Sequence, residues 1–230
     1  MRFRLLFLGA LAALVAGCGS TPTATETVTT TTTPAPVSPK PVAVTVFTVD
    51  NGLLRPRVEH VPHTAAIARA ALGALGFGAA TTTISGGTAT VALDHATQDQ
   101  AAEIVYTLTQ FSTVQRVDVG GRKALTRADF TSYIPPIFVE VPAAGANVQR
   151  TFHVSGTASV FEATLVVQLV RDGKVIEKRS VTASEGAPGR GTFDATFTAT
   201  PGPLTVAAFS PSAADGTPQH EVDIPVTVQP

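Results

Sequence analysis

The sequence has one cysteine, one methionine, two tyrosines and no tryptophan in 230 residues. A single cysteine excludes an internal disulfide framework and a thiolate metal site, so the folded part must be held by core burial alone. The lack of tryptophan argues against a glycan groove built on stacked indole rings, though not against one built on hydrogen bonds. Charge is scarce as well. Asp, Glu, Lys and Arg make up 14% of the chain, and the formal net charge is −1. No basic stripe is present to neutralise phosphates, so no nucleic-acid partner is expected.

What is present begins at the N-terminus. Arg2 and Arg4 precede an apolar run from Leu5 to Val15. That run is too short to span a bilayer and suits the apolar region of a signal peptide. Ala16 and Gly17 are small, and Cys18 follows. Charge, apolar run, small residues and cysteine together look like a bacterial lipobox. Residues 1–17 are then the lipoprotein signal peptide. Cys18 is the lipid-attachment residue, carrying a diacylglycerol with palmitate-type chains as the mature N-terminus. Removing residues 1–17 takes two arginines and no acid, leaving 14 basic against 17 acidic residues, a net charge of −3. The expected location is the extracytoplasmic face of the cell membrane, with the membrane engaged through the lipid.

Residues 18–41 continue as a tether. The stretch Gly19 to Pro41 is rich in Thr and Pro and has almost nothing to bury, so no core offsets the entropy of ordering it. An extended, polyproline-like chain of this length reaches ~70 Å at about 3.1 Å per residue.

The first folded region is expected over 42–134. Val42 to Val49 is β-branched and apolar and ends at the turn signal Asp50-Asn51-Gly52, which predicts a buried strand. Arg55 to Val61 is a second extended piece. Thr64 can open a helix carrying Ile67, Ala71, Ala74 and Leu75, and Gly76 and Gly78 end it. Thr81 to Ile84 and Thr90 to Asp94 read as strands around Ser85-Gly86-Gly87-Thr88. Thr97 and Gln100 have the spacing of a capping box. The helix they open places Ala101, Ile104, Val105, Leu108 and Phe111 on one face. Val114 to Val119 and Arg122 to Leu125, joined by Gly120-Gly121, predict a hairpin. The order implies an α+β two-layer domain, one sheet with two helices.

Pro135-Pro136 marks a boundary, and 137–230 reads as strands only. Arg171-Asp172-Gly173-Lys174 is a hairpin turn. About seven strands at this spacing predict an all-β immunoglobulin-like sandwich, without the disulfide and tryptophan of antibody domains.

Few side chains propose chemistry. His60 and His63 lie in a Pro-containing extended segment, and zinc needs about three or four converging ligands. Gly73, Gly76 and Gly78 end a helix and precede no lysine, so they are not a phosphate loop. Asp94 and His95, adjacent on a strand, cannot face each other. Glu162 admits two roles: a ligand contact, or a turn carboxylate accepting backbone N–H bonds beside a core Phe161. Asp215-Gly216 reads as a turn with an Asx cap. Arg55, Arg57 and Arg69 are either a basic patch or solvated charge.

Both folded regions carry a family resemblance. Val44-Thr45-Val46-Phe47, the Thr88 to Asp94 strand and Ile104-Val105-Tyr106-Thr107-Leu108-Thr109-Gln110-Phe111 resemble the GerMN (sporulation and spore germination) domain. Val154 to Ala158, Phe161-Glu162-Ala163 and Ser212 to Gly216 resemble the immunoglobulin-like domain of bacterial spore-germination lipoproteins. The resemblance implies an envelope lipoprotein without catalytic activity, whose two domains bind or scaffold an envelope protein; from the residues themselves, no cofactor and no metal are expected. The alternative is a module that binds peptidoglycan or another cell-wall glycan.

Overall fold

The computed structural model describes residues 39–230. The signal peptide 1–17, Cys18 and all but the last three residues of the tether lie outside the described residues. Among the described residues, no helix is long and apolar enough to cross a membrane.

β1 (Val42–Asp50) and β2 (Leu53–Val61) pair antiparallel from Val42↔Val61 to Asp50↔Leu53. Their turn puts Asn51 and Gly52 at φ 50° and 77°. Asn-Gly is the dipeptide that accepts two left-handed residues at little cost. Both faces of β1 are covered, which explains its unbroken apolar sequence. Val44 and Val46 pack with Ala71 of α1 (Ile67–Ala74), and Phe47 joins the larger core beneath α2 (Gln98–Leu108).

α1 ends in a Schellman arrangement. Phe77 N–H donates to Leu72 O at 2.8 Å and Gly76 N–H to Gly73 O at 3.0 Å, with Gly76 at φ 90°. This is the left-handed position that glycine takes without strain. Thr64 does not cap the helix itself. Its hydroxyl accepts from Ala66 N–H, one residue before α1 starts. The α2 capping box forms as the spacing predicts: Gln100 N–H donates to Thr97 Oγ1 at 3.1 Å, and Thr97 N–H to Gln100 Oε1 at 2.9 Å.

β3 (Thr82–Ser85), β4 (Thr88–Val91), β5 (Arg116–Val119) and β6 (Arg122–Leu125) form a second sheet in that order. β4 and β5 are parallel, and α2 supplies the crossover that parallel strands need. The α+β class stands, but the strands divide between two sheets instead of one. The reason is visible along β1. Glu103, Thr107 and Gln110 of α2 and its C-terminal turn take the backbone groups of Val49, Phe47 and Thr45. Helix side chains thus occupy the edge where a third strand would have paired. A short 3-10 segment, Arg127–Tyr133, closes the domain.

The second domain is a sandwich of two sheets. One holds β7 (Ile137–Val141), β9 (Thr151–Ala158) and β12 (Gly191–Thr198), in the order β12-β9-β7. The other runs β11-β10-β13-β14-β8, built from β8 (Asn147–Val148), β10 (Thr164–Arg171), β11 (Lys174–Thr182), β13 (Gly202–Pro211) and β14 (Pro218–Val228). Inward residues such as Val154, Leu165, Val167, Phe197 and Val206 are fully buried. Phe152 and Phe197 stack with ring centroids 6.3 Å apart at the centre of this core. The turn between β10 and β11 holds Asp172 and Gly173 at φ 50° and 72°, as its sequence predicts.

The Pro135-Pro136 boundary is not a loose linker. Residues Pro39–Pro230 form one compact unit. β7 alternates between two cores: Ile137 and Val139 face the sandwich, and Phe138 belongs to the core of the first domain.

Candidate functional site

Two places concentrate side chains beyond what the separate domains need: the seam between them and the β9–β10 turn.

At the seam, Phe138 meets Phe47 and Tyr106 with ring centroids 6.2 and 6.1 Å away, and Phe47 and Tyr106 lie 5.6 Å apart. Arg127 covers this trio. Its guanidinium carbon lies 4.7 Å from the Tyr106 ring centroid and 5.4 Å from that of Phe47, within cation–π range. Its Nη1 donates to Glu140 Oε2 at 2.7 Å, Nε to Thr109 Oγ1 at 2.9 Å and Nη2 to Tyr106 O at 3.3 Å. One arginine therefore ties the 3-10 segment, the end of α2 and β7 together. Burial pushes the Tyr106 phenol above its ordinary value, and Arg127 opposes that shift. Backbone bonds continue the seam. Val58 N–H donates to Ala144 O at 2.8 Å and Ala144 N–H to Pro56 O at 3.2 Å. Arg190 donates from Nη2 to Pro135 O at 2.9 Å and from Nη1 to Thr157 Oγ1 at 3.2 Å. Burial lowers the Arg190 pKa from its ordinary value.

The β9–β10 turn corrects the expectation for Phe161. It is not a core residue: it is 70% exposed, while its neighbour Val160 is 3% exposed and fills the core position. Thr164 N–H donates back to Phe161 O. Glu162 and Ala163 between them sit at φ 53° and 55°. Left-handed backbone costs an L-residue about 1–2 kcal/mol, so two in succession persist only where the surroundings hold them. Several bonds do so here. Val160 O accepts from both Ala163 N–H (3.2 Å) and Ala187 N–H (2.9 Å), Ala163 O accepts from Ala183 N–H (2.8 Å), and Ser159 N–H donates to Pro136 O (2.8 Å). Glu162 is exposed, and it is its carbonyl, not its carboxylate, that takes a bond, from Thr164 Oγ1 at 3.1 Å.

The remaining sequence candidates stay apart. All five histidines are exposed, and no group of three or more His, Cys, Asp and Glu side chains converges among the described residues. Asp94 and His95 are both exposed between β4 and α2, with Asp94 in a bend. Arg57 pairs with Glu59, and Arg69 Nε donates to Gly78 O at 3.4 Å, so two of the three patch arginines have local partners. Asp215 is an Asx cap as its turn predicts, accepting from Thr217 N–H at 3.1 Å and Thr217 Oγ1 at 2.8 Å. Thr217 holds its carboxyl below the usual range. Cys18 lies outside the described residues.

Sequence reasoning missed Arg127, Phe138, Glu140 and Arg190. The available signal was the run Ile137-Phe138-Val139. Three large apolar residues without alternation, placed at a boundary, require a buried surface on each side of one strand.

The fold is thus an α+β domain followed by an immunoglobulin-like sandwich. Residues 136–217, from the start of β7 to the loop before β14, match the family model described as the immunoglobulin-like domain of bacterial spore germination. No curated protein matches the chain. Among solved structures, the tandem GerMN domains of the sporulation protein GerM from Bacillus subtilis are similar at 14% identity and a TM-score of 0.34, over 82% of this chain and 60% of that one. A crystal structure of an engineered protein is similar at 22% identity and a TM-score of 0.31, over 46% of this chain and 24% of that one. The chain therefore spans less than two thirds of the length of either.

Proposed function

We propose that this chain is a non-enzymatic lipoprotein of the cell envelope, in a sporulation-related or similar setting, whose two domains bind or scaffold protein partners. Cys18 anchors it at the extracytoplasmic face of the membrane, and residues 18–41 hold the folded body away from the lipid. The observation that carries the proposal is the sharing of β7 between two cores. It makes two domains one body, able to hold two partner surfaces at a fixed spacing. The family match over 136–217 supports the envelope setting.

Two experiments test it. Cys18→Ser is expected to move the protein from the membrane fraction to the soluble fraction, and a variant that stays with the membrane defeats the anchor. Crosslinking the tethered protein in intact cells is expected to capture a reproducible protein partner that is lost when either the tether is cut or a docking surface is altered.

A second function has its own support. The outer face of the β12-β9-β7 sheet carries Thr151, Ser155 and Thr157 opposite Thr198, Asp194 and Thr192. An open basin of about 590 Å³ lies over part of it, rimmed by Glu140, Ser184 and Asp194. Hydroxyls and carboxylates in this array suit a saccharide held by hydrogen bonds. Co-sedimentation of residues 42–230 with purified cell wall supports this alternative, and its absence removes it.

A further inference from the structure

We propose that the β9–β10 turn is a docking tip, with Phe161 the anchor for an apolar pocket rimmed by basic side chains on a protein partner. This rests on the scaffolding function proposed above and names its contact point.

Three observations converge on the turn. Among the described residues, five large apolar side chains are well exposed, and Phe161, at 70%, is the most exposed of them and the one aromatic. Aromatic anchors dominate the energetics of interface centres. The exposure is not a packing failure, since Val160 occupies the core beside it.

The second observation is the backbone. Asn-Gly would accept the conformation of this turn freely. Glu-Ala does not, yet three hydrogen bonds tie Val160, Ala163 and Ser159 to the neighbouring loop and the seam, and a fourth, from Ala163 N–H to Val160 O, closes the turn itself. A side chain on Gly186 would meet Ala163 N at 2.8 Å, so the loop behind the turn is packed against it. The ring is presented by a rigid support, which spares a partner the entropy of ordering it.

The third observation is charge. Glu162 directly follows Phe161 in the chain and is exposed, and Glu185 is exposed on the abutting loop. The nearby cation, Arg190, is half-buried and directed inward to Thr157 and Pro135. The tip is an apolar centre with an acidic rim. An anionic lipid surface repels that rim, whereas Lys or Arg on a protein complements it.

The test places a photoreactive benzoylphenylalanine at position 161 of the full-length chain, with a second at position 84 on β3 as a control, and crosslinks intact cells. The expected result is a discrete protein adduct from position 161, mapped by peptide mass to an apolar surface flanked by Lys or Arg. Its yield should fall roughly tenfold in a Glu162→Lys background. Adducts to lipid alone, or a yield unchanged by Glu162→Lys, overturn the proposal. Adducts from position 84 but none from 161 overturn the tip and leave the scaffolding function standing. Adducts from neither position overturn both. An Ala163→Gly variant keeps the ring and the Glu162 carboxylate but relaxes the left-handed backbone that supports them. It should raise the melting temperature while lowering the adduct yield, and an equal or higher yield shows that the strained support plays no part.

Discussion

The hydroxyl of Thr107 accepts the backbone N–H of Phe47 at 3.0 Å, across 60 residues of sequence. Two further α2-side groups repeat the device along β1: Glu103 Oε1 takes Val49 N–H at 2.8 Å, and Gln110 Nε2 donates to Thr45 O at 2.7 Å. A helix with these side chains at positions 103, 107 and 110 substitutes for a neighbouring strand. Buried strand edges must find such partners, because an unpaired buried amide is costly.

Thr107→Val keeps the shape of the side chain and removes the acceptor. It is expected to destabilise the protein by about 1–3 kcal/mol, the cost of a buried N–H left without a partner. Hydrogen exchange should report the loss locally, with faster exchange at the Phe47 amide than at Val44 or Val46. Equal protection at Phe47 in both proteins would show that the bond contributes nothing.

Burial raises the Glu103 carboxyl above its ordinary value, and the Val49 N–H only partly opposes that shift. The folded chain therefore holds this proton more tightly than the unfolded chain. The resulting stabilisation is complete below the ordinary value of 4.5 and is lost as pH rises through the raised one. Asp129 has the opposite sign: the Thr126 N–H lowers its value, so its contribution fades in acid. Glu103→Gln retains an acceptor for Val49. It should flatten the fall in stability above about pH 4.5, read as urea midpoints across pH. A wild-type-to-variant difference that does not change with pH contradicts this.

Phe138 lies in the second domain by sequence and in the first by packing. Phe138→Ala should cost about 3–5 kcal/mol, as for other buried phenylalanines. The loss should appear in the first domain, as reduced amide protection along α2 and β1. If protection falls only within the sandwich, the shared packing is not what joins the domains.

A Cβ on Gly156 would come within 2.0 Å of Phe138 O and 2.9 Å of the Val139 Cα. The β7–β9 ladder shifts register at this point, between Val139 and Val141. Gly156→Ala must push β7 away from β9, at a cost of about 1–3 kcal/mol or more. Because β7 also carries Phe138, the same change should loosen the seam. Weaker protection at both Ala158 and Tyr106 in hydrogen exchange is the expected signature.

Much of the local architecture was legible in the sequence. Asn51-Gly52, Asp172-Gly173 and the Thr97/Gln100 pair state their conformations in a few adjacent residues, and each forms as written. What the sequence concealed was long-range. Nothing near Thr107 or Gln110 marks them as strand substitutes, since their partners are more than 60 residues away in Gln110 and 60 in Thr107. Phe161 follows Val160, and two adjacent apolar residues at a turn do not say which one enters the core. The left-handed backbone at Glu162 and Ala163 carries no compositional trace, because neither is glycine or asparagine. The docking tip therefore became visible only once Val160 was seen in the position expected for Phe161.

The alternation of β7 between two interiors also limits how these modules can be exchanged. A strand whose odd positions line one interior and whose even position lines another cannot be cut from either without opening a hole. Grafting the sandwich onto a different N-terminal domain would strand Phe138 in water, and expressing residues 42–134 alone would leave Phe47 and Tyr106 without their third ring. Recombination between relatives should be tolerated only when the residue corresponding to Phe138 travels together with the pocket that receives it.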